Sequence, residues 1–129
     1  MMSATNFLED QFLQASLTGA TYTGAANVYV ALYSTAPTDA GGGTELSGSG
    51  YARQEAVFTV SAGNGIATND SAVVFGNATA DWSTAVAYGI VDASTSGNIL
   101  YTGALTPTQT LLDTFNLTFG AGNISVSID

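Results

Sequence analysis

Ten carboxylates and one guanidinium, Arg53, are all the charged side chains of this 129-residue chain, which has no histidine, cysteine or lysine. The chemistry open to it is therefore narrow. Without imidazole there is no His-based triad and no imidazole acid–base catalysis. Without thiolate or imidazole, zinc, haem and iron–sulfur centres lose their usual ligands. A formal charge of −9 with a single cation gives no affinity for phosphates through counterion release, so nucleic acid is not an expected partner.

Carboxylates remain. A paired-carboxylate hydrolase needs two acids facing one cleft with separated pKa values. Asp39 and Glu45 flank a glycine-rich loop, and Asp70, Asp81, Asp92 and Asp113 fall near turns. Turn acids usually bond to the local backbone, and nothing in this spacing sets two of them in register. Calcium takes oxygen ligands alone. The segment Asp39-Ala40-Gly41-Gly42-Gly43-Thr44-Glu45 supplies acids and glycines but not the D-x-[DN]-x-[DN]-G order, and without lysine it is no phosphate loop. No catalytic, metal or cofactor residue is assigned. The expectation is a protein that is not an enzyme and takes no cofactor.

Two other residue types call for a role. Arg53 is either a bidentate clamp on a carboxylate, within the chain or across a subunit contact, or a half-exposed strand residue balancing Glu55 or another acid. Trp82 and the tyrosines at 22, 29, 33, 51, 88 and 101 could form a sugar-binding platform. Tyr29, Tyr33, Tyr88 and Tyr101 sit in strand patterns, where such rings more often fill a core or a subunit contact.

The elements that must position these residues follow from periodicity. Phe7, Leu8, Phe12, Leu13 and Leu17 recur with helical spacing. Asn6 and Glu9 read as a capping box, and Gly19 as the stop. The helical face either packs on the chain's own core or docks on a neighbouring subunit. From residue 27 the period becomes two. Val28, Val30 and Leu32 oppose Tyr29, Ala31 and Tyr33, which predicts a central strand apolar on both faces. A long loop from Thr35 to Gly50 is expected to be mobile unless a partner holds it. Arg53 to Val60 reads as a strand with Ala56, Phe58 and Val60 on one side. Gly63-Asn64-Gly65 predicts a hairpin into 66–69.

Val73 to Phe75 is a short strand, followed by a turn at Gly76-Asn77. Ala85 to Asp92 and Ile99 to Leu105 follow, with Pro107 as a stop, then Phe115 to Phe119. The last strand has Ile124, Val126 and Ile128 inward and Ser125 and Ser127 outward. Eighteen threonines agree with strand preference. The expected fold is mainly β: an antiparallel β-sandwich or partly open barrel of seven to eight strands with one N-terminal α-helix. Residues 1–129 read as a single domain, with 1–19 as its helical segment.

No apolar run approaches the ~20 residues needed to span a bilayer. The segment from Met1 to Leu17 has neither the positive region nor the continuous apolar stretch of a signal peptide. A membrane is not an expected partner. Absence of cysteine fits synthesis inside a cell. Four Asn-x-Ser/Thr sequons, at Asn69, Asn77, Asn116 and Asn123, read as by-products of a sequence rich in these residues.

Five stretches in order carry a resemblance. They are Thr5-Asn6-Phe7-Leu8-Glu9; Val28-Tyr29-Val30-Ala31-Leu32-Tyr33-Ser34-Thr35-Ala36-Pro37-Thr38-Asp39-Ala40-Gly41; Gly50-Tyr51-Ala52-Arg53-Gln54; Asp81-Trp82 with Ala87-Tyr88-Gly89-Ile90-Val91-Asp92-Ala93 and Gly97-Asn98-Ile99-Leu100-Tyr101-Thr102-Gly103-Ala104-Leu105; and Ala121-Gly122-Asn123-Ile124-Ser125-Val126-Ser127-Ile128. Together they resemble a family of small tailed-bacteriophage virion structural proteins often labelled tail-fibre-like. The likeness covers nearly the whole chain and brings no catalytic motif. The chain departs from the family pattern in having no histidine near Ala87-Tyr88-Gly89 and no lysine.

The resemblance implies a virion structural protein made in the host cytoplasm. The first reading is a capsid decoration (cement) protein on the capsid exterior, binding the major capsid shell and stabilising it. The alternative is a tail or tail-fibre component involved in host adsorption, and a third class is a glycan-active or lectin domain. Expected partners are the major capsid protein or other virion proteins, and sibling copies in a homo-oligomer, a trimer first. Phe7, Leu8, Phe12, Leu13, Leu17, Arg53 and Trp82 are the candidate subunit-interface residues.

Overall fold

The chain runs β1 (Ser3–Ala4), α1 (Asn6–Leu17), β2 (Val28–Thr35), β3 (Thr44–Glu45), β4 (Gln54–Ala56), β5 (Phe58–Ser61), β6 (Ile66–Asn69), β7 (Val73–Phe75), β8 (Ser83–Val91), β9 (Ile99–Leu111), β10 (Leu117–Phe119) and β11 (Ser125–Ser127). This computed structural model describes residues 2–76 and 78–128. The sequon asparagine Asn77, and the turn expected at Gly76-Asn77, lie outside the described residues.

The architecture is mainly β with one N-terminal helix, as the periodicity indicates. The main sheet is six-stranded in the order β1-β9-β8-β2-β3, with β4 also paired to β2. Facing it are a three-stranded sheet, β11-β6-β5, and a two-stranded pair, β10-β7. The strand pairings within the sheets are antiparallel. The seven to eight strands read from the pattern become eleven for local reasons. Two edge pieces, β1 and β3, are only two residues each. The stretch from Arg53 to Val60 divides at Val57, where the chain leaves the main sheet as β4 and enters the three-stranded sheet as β5. Strands that switch sheets at a bend make the corners of a sandwich.

β2 is central, as its two apolar faces demand. Val30, Ala31, Leu32 and Tyr33 are all buried. The core lies on one side of the main sheet. Val30, Leu32, Tyr88, Ile90 and Leu100 meet Val73, Phe75, Ile124 and Val126 from the opposing layer. Burying one such side chain stabilises by roughly 1.5–3 kcal/mol. The other face carries a smaller cluster of Ala31, Tyr33, Ala87 and Val91, flanked by Val86 and Ile99.

Two glycines let rings lie flat on the sheet. A Cβ on Gly89 would sit 3.1 Å from Tyr33 Cε2, and one on Gly103 would sit 3.1 Å from Tyr88 Cε1 and Cζ. Each ring thus covers a glycine on the adjacent strand, a close approach that any side chain would obstruct.

Two expectations about ends need correction. Pro107 does not stop its strand. β9 continues to Leu111 because the register shifts there: Ala87 faces Ala104 while Ala85 faces Gln109. The extra residues hold Pro107 in a bulge, outside the ladder that a residue lacking an N–H would break. The last strand ends at Ser127, so Ile124 and Val126 are buried while Ile128 is 51 % exposed. The hairpin at Gly63-Asn64-Gly65 forms as read, with Ser61 paired to Ile66.

Candidate subunit interface

The seven residues singled out from sequence fall into two groups once placed. The first lies on α1. Thr5, not Asn6, precedes the helix, and its hydroxyl makes no cap bond. It donates instead to the carbonyls of Ile99 at 2.6 Å and Leu100 at 3.2 Å, while the Thr5 N–H donates to Leu100 at 2.9 Å. The helix start is thereby fastened to β9. The Asn6 N–H is taken by the Asp39 carbonyl at 2.9 Å, so the expected capping box does not form. The stop is as read: Thr18 closes the helix and Gly19 follows at φ +74°.

Fixed in this way, α1 turns Leu8 into the core and half-buries Phe12 against Tyr22, with the rings edge-on at 5.7 Å. The same rotation turns Phe7, Leu13 and Leu17 outward, at 36 %, 55 % and 77 % exposure. Leu8 is thus a core residue of its own chain, while Phe7, Leu13 and Leu17 stay exposed on α1. Beside the helix runs a groove of about 520 Å³ lined by Met2, Ser3, Ala4, Glu9, Phe12, Leu13, Ser127 and Ile128. The two ends of the chain meet at this groove, where the Met2 N–H bonds to the Ser125 carbonyl at 3.2 Å.

The second group, Arg53 and Trp82, is consumed inside the chain. Arg53 grips Glu45 with two parallel bonds, Nε to Oε2 at 3.0 Å and Nη2 to Oε1 at 2.9 Å. Its Nη1 donates to the carbonyls of Ala93 at 2.8 Å and Ser96 at 2.7 Å. The bidentate reading holds within the chain, and the partner is Glu45 rather than Glu55. Tyr51 completes the knot: its hydroxyl donates to Glu45 Oε2 at 2.7 Å and accepts the Leu32 N–H at 3.1 Å. One arginine therefore ties β3, the 51–53 segment and the turn after β8 together.

The electrostatics follow from this packing. Burial works to raise the Glu45 pKa, but the hydrogen bonds from Arg53 and Tyr51 and the guanidinium charge outweigh it, so the carboxyl sits below its ordinary value. The bond to Glu45, working against burial, raises Arg53 further, and the pair stays charged. Burial, then the Glu45 charge, pushes Tyr33 up to about 12. Burial raises Tyr51 as well, which keeps its proton available for Glu45.

Trp82 is 2 % exposed. Its indole N–H donates to the Ser49 carbonyl at 2.8 Å, and Tyr51 packs edge-on against it at 5.4 Å. It anchors the loop from 46 to 51 and presents no face for stacking a sugar. The 35–50 segment is held by its own chain. Thr38 and Gly41 bond each other, β3 pairs with β2, and Leu46 is buried against the core.

Two further acids bond near turns. Asp92 accepts from the Asn98 N–H at 2.7 Å and from its side-chain amide at 3.1 Å; Asp81 accepts the Asp113 N–H at 2.8 Å. Asp39 offers its backbone carbonyl to α1, and Glu45 belongs to Arg53, so the two acids flanking the glycine loop do not converge. Among the described residues no three acids gather. One residue that periodicity missed is Asn69, 2 % exposed. Its amide donates to Ser71 and Gly120, and its carbonyl oxygen accepts the Ile124 N–H, pinning β6 to the turn before β11. The only sequence signal was a polar residue ending a strand just before a turn.

Chemically, the molecule has a closed polar knot and an open apolar helix face. Among the described residues no helix is long and apolar enough to cross a membrane. No curated protein matches the chain. A comparison with protein families matches residues 3–127 to the one described as podophage GP4 fiber I protein gp80.

Proposed function

The chain belongs to the podophage GP4 fiber I protein gp80 family, and from that premise we propose that it is a short fibre component of a podophage particle, joined to other virion proteins by non-covalent contacts. It is a bacteriophage virion structural protein of tail-fibre-like type. The family match over residues 3–127 is the observation that carries the fibre reading. The outward face of α1 suits it: Leu13 and Leu17 are exposed where no core needs them. Its role is mechanical attachment and not bond making or breaking.

A second reading, capsid decoration, rests on a different observation. The chain has no shaft repeat and no heptads, so by itself it builds a compact knob and not an extended rod. A knob repeated over a shell could cement capsid subunits through modest apolar contacts. Copy number separates the two. Quantitative mass spectrometry of purified particles should give few copies relative to the major capsid protein, with antibody label at the tail. Copies comparable to the major capsid protein, with label over the shell, would favour decoration. Absence from purified particles would overturn both readings.

A further inference from the structure

The one cation of this chain is spent. Arg53 is bonded to Glu45 and to two carbonyls, while the other acids have no second cation to meet. An ion pair between side chains of this molecule and another must therefore draw its positive charge from the other partner. A contact between two copies has no free cationic side chain to offer, and it brings like charges together.

That restriction bears on the groove beside α1. Its walls are mostly apolar, with Phe12, Leu13 and Ile128 prominent, while Ser3, Ser127 and Glu9 add polar groups to its lining. Glu9 and Asp10 are both exposed. Leu13 follows Glu9 by four residues, so the two lie on the same side of the helix. An apolar channel with a carboxylate on its lining matches the dual character of a long basic side chain, whose methylene stem packs on hydrocarbon while its head seeks an anion. Leu17, one turn beyond Leu13, extends the apolar surface along the helix.

We propose that this groove and the outward stripe of α1 form a docking site for a different, basic virion protein, which inserts a lysine or arginine side chain along Phe12, Leu13 and Ile128 toward Glu9. The inference rests on the fibre reading and deepens it by naming the chemistry of the partner. A second copy of this chain has no free cationic side chain to insert, and it is the alternative occupant that the test separates.

The test uses assembled phage. A photo-crosslinking amino acid replaces Leu13 in the phage-encoded protein, and crosslinked peptides from purified virions are identified by mass spectrometry. The expected product joins this chain to another virion protein at a peptide containing lysine or arginine. In parallel, Glu9→Lys should cut copies per particle by about tenfold through charge repulsion, and a lysine-to-glutamate change at the crosslinked partner position should restore them. Glu9 is exposed, so the thermal melt of Glu9→Lys, followed by circular dichroism, checks that the fold is intact. Crosslinks only between copies of this chain, or unchanged occupancy of Glu9→Lys, would overturn the inference and leave the fibre reading standing. Absence of the wild-type chain from the particle would sink the fibre reading itself.

Discussion

The Arg53 knot and the outer face of α1 are built from side chains of the kinds that dominate protein interfaces, yet they have opposite fates. Around Glu45, every polar atom of a guanidinium, a carboxylate and a phenol finds a partner in the same chain. On α1, Leu13 and Leu17 find none and stay more than half exposed. Residue type alone does not mark an interface; what matters is what the fold has left over. Arginine and tryptophan are enriched at binding hot spots, but here both close a loop onto a sandwich. The leucines, weaker candidates by type, are the ones available.

The sharpest way to break this contrast is Trp82→Ala. It removes a fully buried ring and the bond to Ser49, and it leaves Tyr51 without its edge-on neighbour. A loss of about 4 kcal/mol in unfolding free energy is expected, read by chemical denaturation. If Trp82 instead served a partner, the isolated chain would hardly notice its removal.

Next comes Arg53→Ala. It leaves the half-buried Glu45 without its cation and frees the carbonyls of Ala93 and Ser96. The side chains are 11 % and 26 % exposed, so screening is incomplete, and a cost of about 2 kcal/mol is expected. Hydrogen exchange should rise in the 93–98 turn and around residue 45 together, because one side chain holds both.

The ion pair also sets a pH dependence of smaller size. Glu45 has a folded pKa below its ordinary value of 4.5. In that window the unfolded chain binds more protons than the folded one, so stability rises with pH. The contribution is complete above the ordinary value and is lost as pH falls through the folded one. Urea midpoints measured from about pH 7 down to about pH 3 should drop more steeply for wild type than for Glu45→Gln. Equal slopes would mean that the knot carries no charge-dependent stability.

How much of this could be read beforehand differs by the range of the forces involved. Patterns of two and of 3.6 residues report burial directly, so β2, the hairpin at 61–66 and the existence of α1 were legible. A helical pattern with apolar residues at 7, 8, 12, 13 and 17 contains too many candidates for one buried stripe, and only docking on β9 through Thr5 decides that Leu8 goes in and Leu13 goes out. Arg53 could be seen to want a carboxylate. Which one it takes depends on β3 pairing with β2, a contact set by a loop whose path glycine leaves open. Pro107 was read by its local rule, which the register shift between β8 and β9 makes irrelevant. Asn69 was invisible because its partners, Gly120 and Ile124, are some fifty residues away.

The smallest effect on the isolated molecule is also the most telling for its role. Leu13→Ser and Leu17→Ser each replace an exposed leucine on the helix and leave the buried Leu8 in place, so the isolated chain should change by no more than about 0.5 kcal/mol. In the virion the same substitutions remove the apolar ridge from the proposed contact, and copies per particle should fall, with the double variant lower than either single one. Trp82→Ala would reverse this order, with a large loss of stability and no loss of contact beyond that caused by unfolding. A surface that costs nothing to alter in isolation but empties the particle when altered is an attachment face. If the double variant both melts early and binds normally, α1 belongs to the core along its whole circumference, and the distinction between the two regions fails.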